Sequence, residues 1–580
     1  MTRKSTNIPG KYGWPLIGES IDYFKKLRSG TNEKFVMQRK KLFGDVFKTS
    51  ILGEKMAFLC GPEGNKFLFS NENKLVEVWW PSSVESIIKK SNNKSVTAES
   101  AKVRQLLPPF LRAHAVKNYI SDMDSELRQH LEDYWTGHDE VEVCPFVAKY
   151  TFALAVKLLL GVRDGTELEK LAVPFVEAAG GIIAVPINIP GTRFNRGVKA
   201  SNKIREVING IIAQRRKDLA DGTATPTQDL LSHMIVEVDK RNQESDGPPT
   251  TDGDMSSDLL GLLIGGYDTI NTTVVFIMMM LVDHPDVYQK VLKEQMEIAE
   301  GKSQGELLTW DDLRKMKYSW NVACEVLRMR PPTVGAFRVA KTTFTYAGFT
   351  IPKGWKLHYI PHYTQRNAEY FPNPEKFDPS RFEGAGPAPY TFVPFGGGAR
   401  MCPGNEYARA EILVFMYNII TRYNWERLIP DEKVGRWNVA RLPLPQDKPK
   451  SRETESRETS GLVRSYLALS KTKEALYAAR EAMKAMPQSA KALKLVGDVY
   501  ASNSSGRDKA KKFYESALRL EPGYLGAALA LAELHVMEGR NYEAVTLLER
   551  YLKDWADDSL HVKLAQIGSQ LVSRSEGSHG

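Results

Sequence analysis

The run "LLGLLIGGYDTINTTVVFIMMMLV", Leu259 to Val282, is long enough to cross a bilayer as a helix and almost free of charge. Its middle argues against lipid: Asp268, Thr269, Asn271, Thr272 and Thr273 would all be penalised there. Polar Ser256, Ser257 and Asp258 precede it and offer caps for a helix that starts inside water-soluble protein. A helix apolar all round, roughly 35 Å long at 1.5 Å per residue, needs protein on every side. The chain must therefore contain a large, mostly helical domain built round this segment, with the polar notch at its midpoint as a candidate active-site wall.

The rest of the first 430 residues agrees. Alternating runs bounded by glycine, "DVFKTSILG" and "MAFLCG", read as strands near the start, and "FTYAGFTIPKGWKLHYI" brings strand and turn signals back after residue 335. Between them the pattern is mainly helical, as in the amphipathic "SNKIREVINGIIAQRRKDLA". "NEYARAEILVFMYNIITRY" reads as a further buried helix. The first residues show neither a signal-peptide core nor a spanning helix, so the domain is expected to lack an N-terminal membrane anchor.

At 580 residues the chain exceeds one ordinary domain. "QDKPKSRETESRETSG", Gln446 to Gly461, has no large apolar side chain and reads as a flexible linker. Beyond it lies a repeat. Tyr466, Ala475, Ala482 and Pro487 are echoed by Gly497, Tyr500, Ala510, Tyr514, Ala517 and Pro522, then by Leu531, His535, Ala544 and Tyr551. Ala475, Ala510 and Ala544 follow one another at the 34-residue tetratricopeptide period with one insertion near "SNSSG". About three such repeats are expected over residues 462–572, close to the minimum that buries a continuous core. A net charge of +9 over this length fits a solvated surface or acidic partners, and no basic run interleaved with aromatics points to nucleic acid.

Four features with chemical content fall in order along the first part. Gly265 and Gly266 sit in the long helix at about 1 kcal/mol each relative to alanine, so something is expected to approach that backbone. Asp268 and Thr269 follow, an acid and a hydroxyl suited to proton transfer. "EVLR" sets Glu325 and Arg328 on one helical face, and the proline-rich "FPNPEKFDPSRF" offers Arg381 to a carboxylate such as Glu325. In "PFGGGARMCPG", glycines allow positive φ and N–H groups turned to sulfur, and Arg400 adds charge; both favour the thiolate of Cys402. The four cysteines, Cys60, Cys144, Cys324 and Cys402, are too scattered for a disulfide framework or a zinc signature. His358 and His362 flank Pro361, which makes a shared helical face and a metal pair untenable.

These motifs resemble the cytochrome P-450 family over about residues 7–433. Phe395, Gly398, Arg400, Cys402 and Gly404 match its F-x-x-G-x-R-x-C-x-G loop. The resemblance implies a mainly α fold with small β-sheets, residues 1–435 as a haem-thiolate monooxygenase domain, and 436–461 as linker. It implies Cys402 as the ligand to the iron of haem b, a thiolate that favours O–O cleavage. It further implies Thr269 and Asp268 in proton delivery, Gly265 and Gly266 at an oxygen-binding kink, and Glu325, Arg328 and Arg381 as a structural triad. Arg338, Arg400 and Arg104 would hold the propionates, although Ser100 stands four residues before Arg104 where the family often has Trp or His.

"PINIPGTRF", "PYTFVPFGGGARMCPGNEYARAEILVFM" and "IPDEKV" are similar to the plant branch that oxidises triterpenes of the β-amyrin type. That implies O2, electrons from NADPH through a flavin reductase docked on a basic face, an apolar terpenoid substrate, and the cytosolic side of the endoplasmic reticulum. Apolar "GGIIAVPINIP" could dip into a membrane surface. After Val434 the family's terminal strands are expected to give way to "GRWNVARLPLPQDKPK". The tail resembles tetratricopeptide subunits of the anaphase-promoting complex and would take a peptide or helix ligand. Two other readings stand beside the monooxygenase: a repeat scaffold, or fused gene, carrying an inert oxidase part, and a haem isomerase or lyase, disfavoured by Thr269.

Overall fold

The computed structural model describes residues 7–426, except 16, 29–30, 89–102, 137–139, 183, 245–247, 304 and 334, then 441–443, 472–554 except 486–488 and 504–505, and 564. Ser100, the linker, Tyr466 and Pro487 lie outside the described residues.

The strands are β1 (Val46–Ile51), β2 (Glu54–Leu59), β3 (Val76–Val78), β4 (Glu140–Glu142), β5 (Ala336–Ala340), β6 (Phe344–Tyr346), β7 (Phe349–Ile351), β8 (Lys356–Tyr359) and β9 (Arg441–Pro443). Two tight hairpins follow directly from sequence. Leu52 and Gly53 join β1 to β2 at φ 53° and 79°, and Ala347 and Gly348 join β6 to β7 at 50° and 84°. Such pairs of left-handed residues give the twist that two-residue hairpins require. The main sheet runs β1-β2-β8-β5-β3, with only β2 and β8 parallel among its pairs. β9 pairs antiparallel with β4, so part of the segment expected to depart from the fold after Val434 is strand.

His358 on β8 is wholly buried, its Nε2 paired with Tyr23 Oη at 2.9 Å and its Nδ1 facing Ala336 O at 3.1 Å, with the Phe337 ring stacked 4.1 Å away. Both ring nitrogens are thus occupied inside the sheet. Burial pushes its pKa down to about 4, so the native state keeps it neutral. Its contribution to stability is whole above the ordinary value near 6.5 and is lost as pH falls toward 4, where the unfolded chain alone takes up a proton. The gap in urea midpoint between the wild-type protein and His358→Asn is expected to shrink from pH 7.5 to pH 4.5; a pH-independent gap would contradict this assignment.

Six helices position the site: α1 (Val143–Leu160), α2 (Gly165–Ile182), α3 (Arg193–Ala220), α4 (Asp252–Asp283), α5 (Lys317–Met329) and α6 (Asn405–Arg422). α4 is the apolar segment singled out above, and it lies inside the protein against α1, α3, α5 and α6. Leu259, Leu260, Leu263 and Val274 on it are at most 1% exposed, which accounts for a hydropathy long enough for a membrane span. Its start differs from expectation. Thr251 caps it, accepting from Asp254 N at 3.2 Å while Asp254 accepts from Thr251 N at 2.9 Å. This reciprocal box satisfies the first orphan donors, so Ser256 and Ser257 fall inside the helix and donate back to Gly253 O.

The described residues form two compact units on either side of Pro445. In the second, α7 (Thr472–Ala485), α8 (Ala490–Ala501), α9 (Arg507–Leu520), α10 (Leu525–Met537) and α11 (Asn541–Asp554) each pack on the next. Ala475, Ala510 and Ala544, the residues that set the period, are all fully buried, as close helix approach demands. Tyr514 closes one interface by donating to Asp498 at 2.9 Å.

Candidate functional site

The loop before α6 is shaped by what touches its glycines. Gly396 and Gly398 have φ of 70° and 65°, and a Cβ on Gly398 would fall 2.3 Å from Phe69 O. Gly397 is extended, but a Cβ there would fall 2.5 Å from the Phe69 ring. Only glycine fits either position, for conformation at one and for contact at both. The loop closes through Cys402 N–H donating to Phe395 O at 2.8 Å, and Gly404 then leads into α6. Cys402 is half-buried at this turn.

Burial pushes the Cys402 thiol up, against the Gly404 N–H and the charge of Arg104, which pull it down. In the protein alone burial outweighs the N–H group that the loop turns to the sulfur, and Arg104, whose guanidinium donates to Met401 O, adds a cation that favours the thiolate. A bound metal cation would deprotonate the sulfur outright.

Arg400 has another neighbour. Its Nε lies 4.0 Å from Glu72 Oε1, while Arg338 on β5 donates through Nε to Glu72 Oε2. Glu72 and Arg338 are 7% and 5% exposed, and Arg104 is close enough to feel both Arg400 and Arg338. Among the described residues, three guanidinium groups thus gather round the Glu72 carboxylate, an arrangement suited to holding an anion. Glu72 escaped the sequence reading because an acid in "SNENKL" carries no spacing signal; only the fold brings it to β5.

Behind the loop, Glu325 and Arg328 on α5 are fully buried and bidentate, with Arg328 Nε 2.6 Å from Oε2 and Nη2 2.8 Å from Oε1. Arg328 also donates to the carbonyls of Gln365, Pro374 and Lys376, and Asp378 N–H donates to Glu325 at 2.9 Å. Arg381 Nε lies 3.5 Å from Glu325 Oε1, so the three residues meet and pin the proline-rich loop to α5.

On α4, Thr269 Oγ1 donates to Gly265 O at 2.9 Å. The segment is helical throughout, so the expected kink is not a break; a hydroxyl bond to the carbonyl four residues back is a known source of gentle bending. Asp268 stands about 100° round the helix from Thr269. It lines a separate cavity with residues of α1 and α2.

Methyl groups placed on Gly265, Gly266 or Gly404 would meet no atom of the described residues within 4 Å. Among the described residues, packing therefore does not require glycine there, and open space adjoins all three. Open space beside glycines, a half-buried sulfur and an arginine cluster fit a flat iron porphyrin with two carboxylates. The cytochrome P450 family profile matches residues 8–446. The chain is a cytochrome P450.

The match runs past Val434, beyond the point where the sequence was expected to leave the family. A β-amyrin 16-beta-monooxygenase of Platycodon grandiflorus is 78% identical over 436 residues, covering 75% of this chain and 91% of that protein. A β-amyrin 28-monooxygenase of Kalopanax septemlobus is 51% identical over 75% of this chain and 89% of its own length. Among solved structures, the retinoic-acid-bound cyanobacterial CYP120A1 shares 27% identity at a TM-score of 0.66, over 76% of this cytochrome P450 and all of that chain. A tetratricopeptide profile matches residues 507–567, inside the second unit.

Proposed function

We propose that this cytochrome P450 hydroxylates, or oxidises stepwise to a carboxyl group, a pentacyclic triterpene of the β-amyrin type. The observation that carries the reading is the 78% identity to the Platycodon grandiflorus β-amyrin monooxygenase over 91% of its length. Haem b, when bound, supplies the iron that activates O2, with electrons from NADPH through a flavin reductase. Cys402 would hold the iron, and Arg338, Arg400 and Arg104 the propionates, with Phe395 fixing the ligand loop through its carbonyl.

Thr269 spends its hydroxyl hydrogen on Gly265 O, so its oxygen lone pairs are left to accept from a water on the open side of α4. Asp268, about 100° round the helix on the face of the other cavity, is the acid through which a proton would pass from that cavity toward the Thr269 side. Glu325, Arg328 and Arg381 keep the proline-rich loop that carries Pro374, Lys376 and Asp378 against α5. Arg112 lines a cavity of about 400 Å3 beside the cysteine loop and adds positive charge to a face suited to an acidic reductase surface. Exposed Val173, Val176, Val185, Ile187 and Ile189 cluster along and after α2 and would rest on the endoplasmic reticulum membrane. The repeats would take a peptide or helix from a protein partner.

The test is turnover of β-amyrin by the haem-loaded protein with reductase and NADPH. A hydroxylated product supports the reading; an intact thiolate-type carbon monoxide spectrum without any product or substrate-induced spectral shift overturns it. Thr269→Ala is expected to lower product formed per NADPH by about a hundredfold, the lower end of proton-transfer contributions, while leaving substrate binding unchanged. Equal coupling in the variant would remove Thr269 from proton delivery.

A further inference from the structure

We propose that the cavity between α1, α2 and α4 is a second small-ligand site, and that it takes an apolar alcohol of sterol size. The cavity measures about 510 Å3, within the roughly 300–1,000 Å3 of small-molecule pockets. Gly265, Gly266 and Thr269 contribute nothing to it, so it is distinct from the side of α4 that carries those residues. The proposal does not depend on β-amyrin being the substrate.

One wall is a stiff aromatic surface. Phe152, Phe175 and Tyr267 pack with ring centroids 4.7 to 5.9 Å apart, two of the three contacts edge to face. Leu168, Ala172 and Val176 of α2 extend it. Burial of a flat hydrocarbon against such rings supplies most of the affinity.

α4, which also carries Tyr267, presents Asp268, Asn271, Thr272 and Val275 to the cavity at helical spacing i, i+3, i+4, i+7. Its polar groups are few and specific. Thr272 has no hydrogen bond among the described residues. Asn271 is 5% exposed, donates its amide N–H to Cys144 Sγ at 3.8 Å, and leaves Oδ1 unpartnered. One ligand hydroxyl can accept from the Thr272 hydroxyl on the cavity wall, a bond that a plain hydrocarbon does not offer. An occupant also displaces water from beside Asp268.

Cys144 lines the cavity and reports on it. Cys60 and Cys324 are buried, and Cys402 stands at the iron-ligand position. In the full-length, haem-loaded protein, saturating cholesterol is expected to slow maleimide labelling of Cys144, read by peptide mass mapping, by about fivefold or more. Thr272→Val should weaken that protection. Ala172→Trp, which fills the cavity, should abolish it with the carbon monoxide spectrum unchanged; Val176→Trp at the exposed rim serves if the first variant does not fold. Labelling that ignores cholesterol, or protection that persists when the cavity is filled, overturns the site.

Discussion

Cys402→Ser is expected to remove the thiolate-type absorption of the reduced carbon monoxide complex and to bring turnover below detection. The serine hydroxyl nearly matches the thiol in size, and the loop's own supports remain: Cys402 N–H to Phe395 O, Gly398 against Phe69, and Arg104 on Met401 O. What changes is the donor. A hydroxyl is far less acidic than a thiol, and a soft thiolate is what pushes electron density onto haem iron. Haem content by pyridine haemochrome and the carbon monoxide difference spectrum separate the two effects. Retention of the thiolate-type band in the variant would mean that another residue holds the iron.

Arg328→Ala is expected to cost about 3–5 kcal/mol, enough to prevent accumulation of haem-loaded protein. The side chain is fully buried, and its loss strands the Glu325 carboxylate together with the carbonyls of Gln365, Pro374 and Lys376. Arg328→Lys should recover only part of this, because a point charge cannot serve both carboxylate oxygens and the carbonyls in the plane of a guanidinium. The measurement is the yield of soluble holoprotein and its urea midpoint. A variant with wild-type midpoint would show that the Asp378 N–H and Arg381 suffice to hold Glu325.

The site was legible where chemistry demanded particular residue types at short range. The cysteine loop, the Glu325–Arg328 spacing and the glycine pair of α4 are all set within one or two helical turns. The same holds for the alanine period of the repeats. Less legible was anything decided by distant chain. "SNENKL" does not announce that Glu72 will sit between Arg338 and Arg400, more than 260 residues away in the case of Arg338. The cap of α4 was misplaced because Ser256 and Ser257 have cap chemistry, while the reciprocal bond between Thr251 and Asp254 depends on where the backbone turns.

Sequence by itself determined that a long apolar helix with a polar notch must be enclosed, that a cysteine loop must close on small residues, and that a repeat unit must follow. Periodicity and residue type suffice there, because the interactions are local. Tertiary structure alone decided the partner of each charge: Arg104 for the Cys402 sulfur, Glu72 for Arg338, and a cavity face for Asp268 apart from Thr269. Burial strengthens electrostatic interactions and makes an unpaired group costly, so the energetic consequence of each charge is set by neighbours that only the folded chain assembles.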